Sequence, residues 1–373
     1  MNILHVINVR WYNATAWYAV NLAHLQQKNG SKVWLIGQGP QSPSAKKARE
    51  YGINVLDTIY LNTFNPITLW LAFWRLKKFI KQKKIDIINA HRGEGFFLIV
   101  LAALFSPQNV KIVRTRGDIR YPKKSFLNKI IYKYFVDIHI VTGIFMKNYF
   151  IENLSISPEN VEIIYGGVDA ELFRPHSEAR SKILTKYGLD DRTILIGIVA
   201  RLAAVKGHTV LLDAFQQISS KYPEARLLVI GGDREIKAQD LRNKADKLGI
   251  GDKVIITGFV DNILSYMASL DLGIISSRGS EAVCRVLMEM MSVGVPVVAT
   301  KVGSLPEIID EDTGMISEPD NPDALAKAMD SALQNKSWRK NARKISREKI
   351  LKNMSNRVFL QKSQDVYRKL FAI

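Results

Sequence analysis

Between residues 278 and 300 the chain reads RGSEAVCRVLMEMMSVGVPVVAT, which places Glu281 and Glu289 eight residues apart around a single cysteine, Cys284. A carboxylate only accepts hydrogen bonds, so this pair suits the paired hydroxyls of a sugar and of a ribose. Upstream, GIVARLAAVKG supplies two cations, Arg201 and Lys206. GGD around Gly232, GFVD with Phe259 and Val260, and VATKVGSLPE add glycines and further polar groups. Cations for phosphate oxygens, glycines that admit close backbone approach and carboxylates for hydroxyls together fit a nucleotide diphosphate. Arg201 or Lys206 alone would read as a surface charge; the series around them gives them meaning. Cys284 lacks the histidine and asparagine pattern of a thiol nucleophile and reads as a small packing residue.

These side chains act together only if the fold brings them to one edge. ILHVINV, KVWLIG, IDIINAH, VKIVRTRG, DIHIVTG and VEIIYGG are short β-branched runs separated by helix-length stretches such as 16–29 and 66–84. The pattern restarts with TILIGIVAR, ARLLVIGGD, KVIITGF, LDLGIIS and VPVVAT, and HTVLLDAFQQISSKY at 208–222 reads as a helix of this second series. Strands alternating with helices imply parallel sheets covered on both faces, hence two doubly wound α/β domains with a boundary near DAELFRP, 169–175. Ligands of such sheets bind beyond the carboxyl ends of the strands, where the cations, glycines and carboxylates fall. The expectation is a helix starting just after Glu281, with the N–H groups of Ala282, Val283, Cys284 and Arg285 open toward the crevice. Eight residues at roughly 100° each then leave Glu289 about 80° around from Glu281, and Gly294 ends the helix.

Composition narrows the class. The 373 residues are 47% hydrophobic, enough for two ordinary cores. Residues 1–150 carry 22 Lys and Arg against 6 Asp and Glu, whereas the rest carries 31 against 29. The basic half attracts polyanions: nucleic acid, an anionic membrane surface or a phosphorylated substrate. One cysteine excludes an internal disulfide framework, and the opening MNILHVINV reads as a strand rather than a signal peptide, which favours the cytoplasm. FFLIVLAALF at 96–105 is too short to span a bilayer. In NPITLWLAFWRLKKFIKQKK, 65–84, Trp70, Phe73, Trp74 and Phe79 alternate with dense cations, and RYPKKSFLNKIIYKYF, 120–135, has the same character. Part of that apolar surface is core, and the remainder fits peripheral contact with an anionic inner membrane.

The ordered set GIVARLAAVKG, LLVIGGD, VIITGF, SEAVCRVLME, GVPVVAT and GSLPEII resembles the E-x7-E region of retaining glycosyltransferases of family 4. IIYGGVDAELFRP resembles that family's interdomain linker, with Gly166 where asparagine is common. The resemblance implies a GT-B fold of two facing Rossmann-like domains: 1–168 for the acceptor, 169–355 for the nucleotide sugar, and a terminal helix, 356–373, returning to the first. It implies a nucleotide-sugar donor, with a UDP-sugar as first choice, retention of configuration and no required metal or other cofactor. By position, Arg201 and Lys206 would grip the diphosphate, Glu281 the transferred sugar, Glu289 the ribose, and backbone around Phe259 and Val260 the base. His91 in NAHRGEG would face the transferred sugar.

The departures from the pattern are informative. WYNATAW, 11–17, replaces a Gly-Gly loop, with Asn13 and Ala14 in its place. Arg285 replaces an apolar residue and is expected to read a charged group on donor or acceptor. Arg116 in TRGD stands where a second histidine is frequent and could bind an anionic acceptor. The implied acceptor is lipid-linked, or of lipopolysaccharide or polysaccharide type. A sugar-nucleotide epimerase shares the architecture but leaves the basic half unexplained. A nucleic-acid-binding protein would use that half, yet no recognised binding motif accompanies it.

Overall fold

The computed structural model describes residues 1–61, 63 and 65–372; Ile373, the end of the expected terminal helix, lies outside them. The chain forms two compact units, one of residues 1–167 with 356–372 and one of Val168–Ser355.

In the first unit seven parallel strands, β1 (Asn2–Val6), β2 (Lys32–Ile36), β3 (Asn54–Val55), β4 (Ile87–Ala90), β5 (Lys111–Arg116), β6 (Ile138–Val141) and β7 (Val161–Ile163), lie in the order β3-β2-β1-β4-β5-β6-β7. β1 pairs with β2 and β4 at once, so His5 sits opposite both Leu35 and Asn89. The chain first adds strands to one side of β1 and then to the other. Right-handed crossovers therefore place helices Ala14–Lys28 and Pro43–Glu50 on one face, and Pro66–Lys83, Phe96–Leu104, Phe126–Tyr134 and Ile144–Leu154 on the opposite face. The two cores divide accordingly: Ile7, Val20 and Leu35 in one, Leu4, Ile88, Ile99 and Phe150 in the other. Helix Asn356–Lys369 packs beside Ala14–Lys28, with the Phe359 ring 4.7 Å from Tyr18. Gly167 permits this, because a Cβ there would fall 2.5 Å from the Phe359 Cβ.

The second unit has six parallel strands, β8 (Ile194–Val199), β9 (Ala225–Ile230), β10 (Val254–Gly258), β11 (Leu272–Ile275), β12 (Val297–Thr300) and β13 (Gly314–Ser317), in the order β10-β9-β8-β11-β12-β13. Leu211, Phe215, Leu227, Ile274 and Met329 centre its core. β11 and β12 are buried along their whole length, as expected of strands covered on both faces. The sequence pattern misses β3 and β13. Both are sheet edges, one of two residues and the other half-buried, so neither carries a continuous apolar run. Among the described residues no helix is long and apolar enough to cross a membrane.

Candidate functional site

At the carboxyl end of β8, Arg201 opens a loop that closes with Ala204–Lys206 and Gly207. Gly207 has φ +68°, and a Cβ there would lie 1.9 Å from the Ser276 carbonyl oxygen, so glycine lets this loop press against the end of β11. Ser276 Oγ donates to the Lys206 carbonyl at 3.0 Å. Lys206 Nζ donates to Glu281 Oε1, and Ser277 Oγ donates to the same oxygen at 2.5 Å. The Glu281 carbonyl accepts from the Ser304 N–H at 2.9 Å, while Thr300 Oγ1 donates to the Ser277 carbonyl at 2.5 Å. Gly303, at φ +56°, leaves room for this contact, since a Cβ would meet the Glu281 carbonyl oxygen at 2.1 Å. Loops after β8, β11 and β12 thus fix a cation beside a buried carboxylate.

The loop after β9 joins the same edge. A Cβ on Gly231 would lie 1.9 Å from the Ala200 carbonyl oxygen, and Arg201 stands 4.0 Å from Glu235 with about half of its side chain (53%) exposed. Gly232 approaches Phe259, whose ring is 85% exposed, and Val260 beside it is half-buried. The second unit therefore brings Arg201, Lys206, Gly232 and Glu281 to one sheet edge. The Lys206 ammonium has three N–H donors and spends one on Glu281, so it can also donate to a phosphate oxygen. Ser277, which the sequence reading passed over, orients the Glu281 carboxylate.

The expected helix start is corrected. The helix spans Arg285–Ser292 with Cys284 at its N-cap, so Ala282, Val283 and Cys284 belong to a buried loop. Arg285 N–H bonds to the Val283 carbonyl, and the amides of 282–284 are not helix N-terminal donors. Ser280 at φ +68° and the Glu281–Ser304 bond hold the chain out of helix through this stretch. Glu281 is not on the helix, so the 80° relation to Glu289 does not apply. Burial pushes the Cys284 thiol well up, with Glu281 adding to the effect, which leaves it a packing group rather than a nucleophile. Glu289 faces inward, and burial raises its carboxyl to about 7 against the opposing pull of Arg285. Arg285 Nε lies 2.9 Å from Glu289 Oε1, so in this structure the arginine meets a carboxylate of its own helix.

In the first unit His91 follows β4 and is fully buried. Its Nε2 lies 2.9 Å from His5 Nδ1, and His5 Nε2 lies 2.7 Å from Gln26 Oε1. Burial lowers both imidazole pKa values, His5 to about 4 and His91 well below its ordinary value. Asn13 caps helix Ala14–Lys28 by accepting from Ala16 N–H at 3.0 Å, so its side chain is committed to the fold. Arg116 Nη2 donates to Asp118 at 2.8 Å and to the Arg120 carbonyl at 2.5 Å. Arg114 went unnoticed in the sequence. Its side chain is fully buried, Nη1 donating to the Ala90 carbonyl at 2.6 Å and the guanidinium 5.0 Å over the Phe96 ring. Among the described residues no group of three or more His, Cys, Asp or Glu gathers in a way that could hold a metal ion.

Two family models match the chain: Glycosyltransferase Family 4 over residues 15–172 and Glycosyl transferases group 1 over residues 179–349. YtcC of Bacillus subtilis is 31% identical over 220 residues, which are 54% of this chain and 53% of that one, so the chain spans about half that relative's length. The GDP-mannose-dependent alpha-(1-6)-phosphatidylinositol monomannoside mannosyltransferase of Mycolicibacterium smegmatis is 29% identical, covering 78% of this chain and 80% of its own. Among solved structures, Anabaena Alr3699/HepE in complex with UDP superposes with a TM-score of 0.86 at 19% identity, over 99% of this chain and all (100%) of that one. The first half of the chain thus matches one model and the second half the other, and the two parallel-sheet, Rossmann-like units have the GT-B fold.

Proposed function

We propose that this chain transfers a sugar from a nucleotide diphosphate sugar, a UDP-sugar first, to a lipid-linked or lipopolysaccharide-type glycan at the cytoplasmic face of the membrane, with retention of configuration. The observation that carries the reading is the rim of the second unit, where loops after β8, β11 and β12 hold Lys206 against Glu281 while Arg201 stands half exposed on the same edge. Arg201 and Lys206 bind the diphosphate and take up charge as the bond from sugar to phosphate breaks. Glu281 accepts from hydroxyls of the transferred sugar and Glu289 from those of the ribose, and backbone near Phe259 and Val260 meets the base. Attack comes from the face the leaving group departs, and a donor phosphate oxygen takes the acceptor's proton. No protein nucleophile and no metal enters this scheme.

The relatives support the substrate classes. One is named for GDP-mannose and for phosphatidylinositol monomannoside, and one solved neighbour is in complex with UDP. Membrane contact is supported by helix Pro66–Lys83, which buries Ala72, Leu76 and Ile80 and leaves Trp70 (61% exposed) and Trp74 outward, with Lys77 Nζ 5.0 Å over the Trp74 ring. Phe126, on the same face of the sheet by crossover handedness, is 79% exposed. Aromatics beside lysines suit an anionic bilayer interface. The test is a panel of UDP-, GDP- and ADP-sugars scored by thermal shift and then by hydrolysis or transfer. Stabilisation and turnover by one base series support the reading. Epimer formation without transfer, or no response to any nucleotide sugar, overturns it.

A further inference from the structure

The pair of Arg285 and Glu289 is one that helix energetics do not explain. Helix Arg285–Ser292 begins at Arg285, so a cation stands where the helix dipole favours an anion. In a pair four residues apart, the cation placed before the carboxylate is also the weaker order. The two ends of the contact differ in setting: the Arg285 side chain is 43% exposed and that of Glu289 6%, so the arginine reaches from the surface to a carboxylate held within the second unit. A buried carboxylate is either neutralised by a proton or kept ionised by a neighbouring cation. The other ionisable groups around this helix are engaged elsewhere. Helix Lys336–Asn353 packs against it and brings Arg343 and Arg347 to its far end, where they donate to the Gly294 and Ser292 carbonyls. Helix Ile263–Ser269 offers Tyr266, which is bonded to Lys186 and Tyr187. β12 carries no ionisable side chain, and in the loop before the helix Lys206 closes on Glu281 while burial keeps the proton on Cys284. Among the described residues Arg285 is the charge that opposes the burial of Glu289.

We infer that Arg285 is a positioning residue for nucleotide binding: its guanidinium on Oε1 keeps Glu289 ionised, so that the carboxylate accepts hydrogen bonds from the ribose hydroxyls. The inference rests on the reading of Glu289 as the ribose carboxylate, and it names the group that maintains that acceptor. A carboxylate offers about four lone-pair sites on its two oxygens, so one arginine N–H and two hydroxyls are accepted together. A protonated carboxyl carries an O–H donor instead and gives up part of that capacity. Burial raises the carboxyl to about 7 even beside the arginine, so its ionised fraction climbs across neutral pH and nucleotide affinity climbs with it. Without the guanidinium the same climb is displaced to higher pH. Arg285 therefore sets the pH at which the ribose site becomes competent, and it does so through Glu289.

The test joins carbon-13 NMR of the glutamate carboxyls with nucleotide titrations, both on the full chain. The Glu289 signal is assigned by its loss in Glu289→Gln and is followed against pH without ligand. Arg285→Met keeps a long apolar stem and removes the charge; there Glu289 is expected to titrate about one pH unit higher than in the wild type. Affinity for UDP, or for GDP if the panel above selects it, is expected to fall about fivefold in that variant at pH 7 and less than about twofold at pH 8.5. The arithmetic is that a midpoint raised by about one unit leaves about a tenth rather than about half of the carboxyls ionised at pH 7. Arg285→Lys restores a cation and is expected to recover most of both quantities. An unchanged Glu289 midpoint in Arg285→Met overturns the inference. So does a loss of affinity equal at the two pH values, which would make Arg285 a direct contact of the nucleotide, or a lysine variant that titrates like the methionine one. A raised midpoint with nucleotide affinity untouched at both pH values would leave the pair standing and overturn the ribose reading of Glu289.

Discussion

Glu289 is the residue at which stability and function oppose each other most clearly. Its carboxyl lies within the second unit, 4% exposed, with Arg285 Nε at 2.9 Å as its ionic partner. Burial outweighs that partner and moves the carboxyl from 4.5 to about 7. A carboxyl whose folded pKa is raised favours folding below pH 4.5, and that contribution is lost as pH rises through about 7. The difference corresponds to about 3 kcal/mol withdrawn once the group is ionised in both states. Glu289→Gln keeps the shape and removes the ionisation, and the Arg285 side chain, 43% exposed, can turn to water. The variant is therefore expected to melt near the wild type at pH 5 and above it at pH 8. The gain at pH 8 is bounded at roughly 6–12 °C for a unit of this size. Paired thermal melts at the two pH values read the difference directly. A difference independent of pH, or a variant less stable than wild type at pH 8, would refute the reasoning. The same variant is expected to lose affinity for the nucleotide, because a neutral amide is a weaker acceptor for ribose hydroxyls.

Further outcomes follow from the rim and from the exposed aromatics. Lys206→Met leaves the Glu281 carboxylate buried without its cation and is expected to cost about 3–5 kcal/mol. Adding Glu281→Gln restores most of that stability in urea unfolding but no transfer activity. Gly207→Ala places a methyl against the Ser276 carbonyl at φ +68° and is expected to lower the melting temperature by several degrees and to weaken UDP binding, both read in one thermal-shift titration. Trp70→Ser with Trp74→Ser is expected to reduce sedimentation with anionic vesicles while hydrolysis of the free nucleotide sugar is unchanged. Equal recovery of the wild type on neutral vesicles would count against the membrane surface.

The sheets were legible because their interior strands are continuous β-branched runs ending at Gly or a polar residue, as in IDIINAH and VPVVAT. The rim was legible for the same reason: Arg201, Gly232, Phe259 and Glu281 each follow such a run, and a doubly wound topology sends those loops to one edge. The helix start at Arg285 was not legible. Ala282, Val283 and Cys284 carry no helix-breaking signal, and what keeps them out of helix is the Ser304 contact 23 residues away. Nor could Gln26, His5 and His91 be grouped, since they come from three separate elements and meet only when β1 pairs with β4. Arg114 read as one more cation of a basic half, yet strand alternation turns it inward beneath Phe96. Helical spacing did contain the division of 66–83, with Trp70 and Trp74 on one side and Leu76 and Ile80 on the other.

A crystal structure of the chain with UDP bound tests the central claim most directly. The account predicts the pyrophosphate oxygens within about 3 Å of Arg201 and Lys206 and the ribose hydroxyls on the Glu289 carboxylate. A diphosphate seated away from both cations, with Lys206 still closed on Glu281, would contradict it.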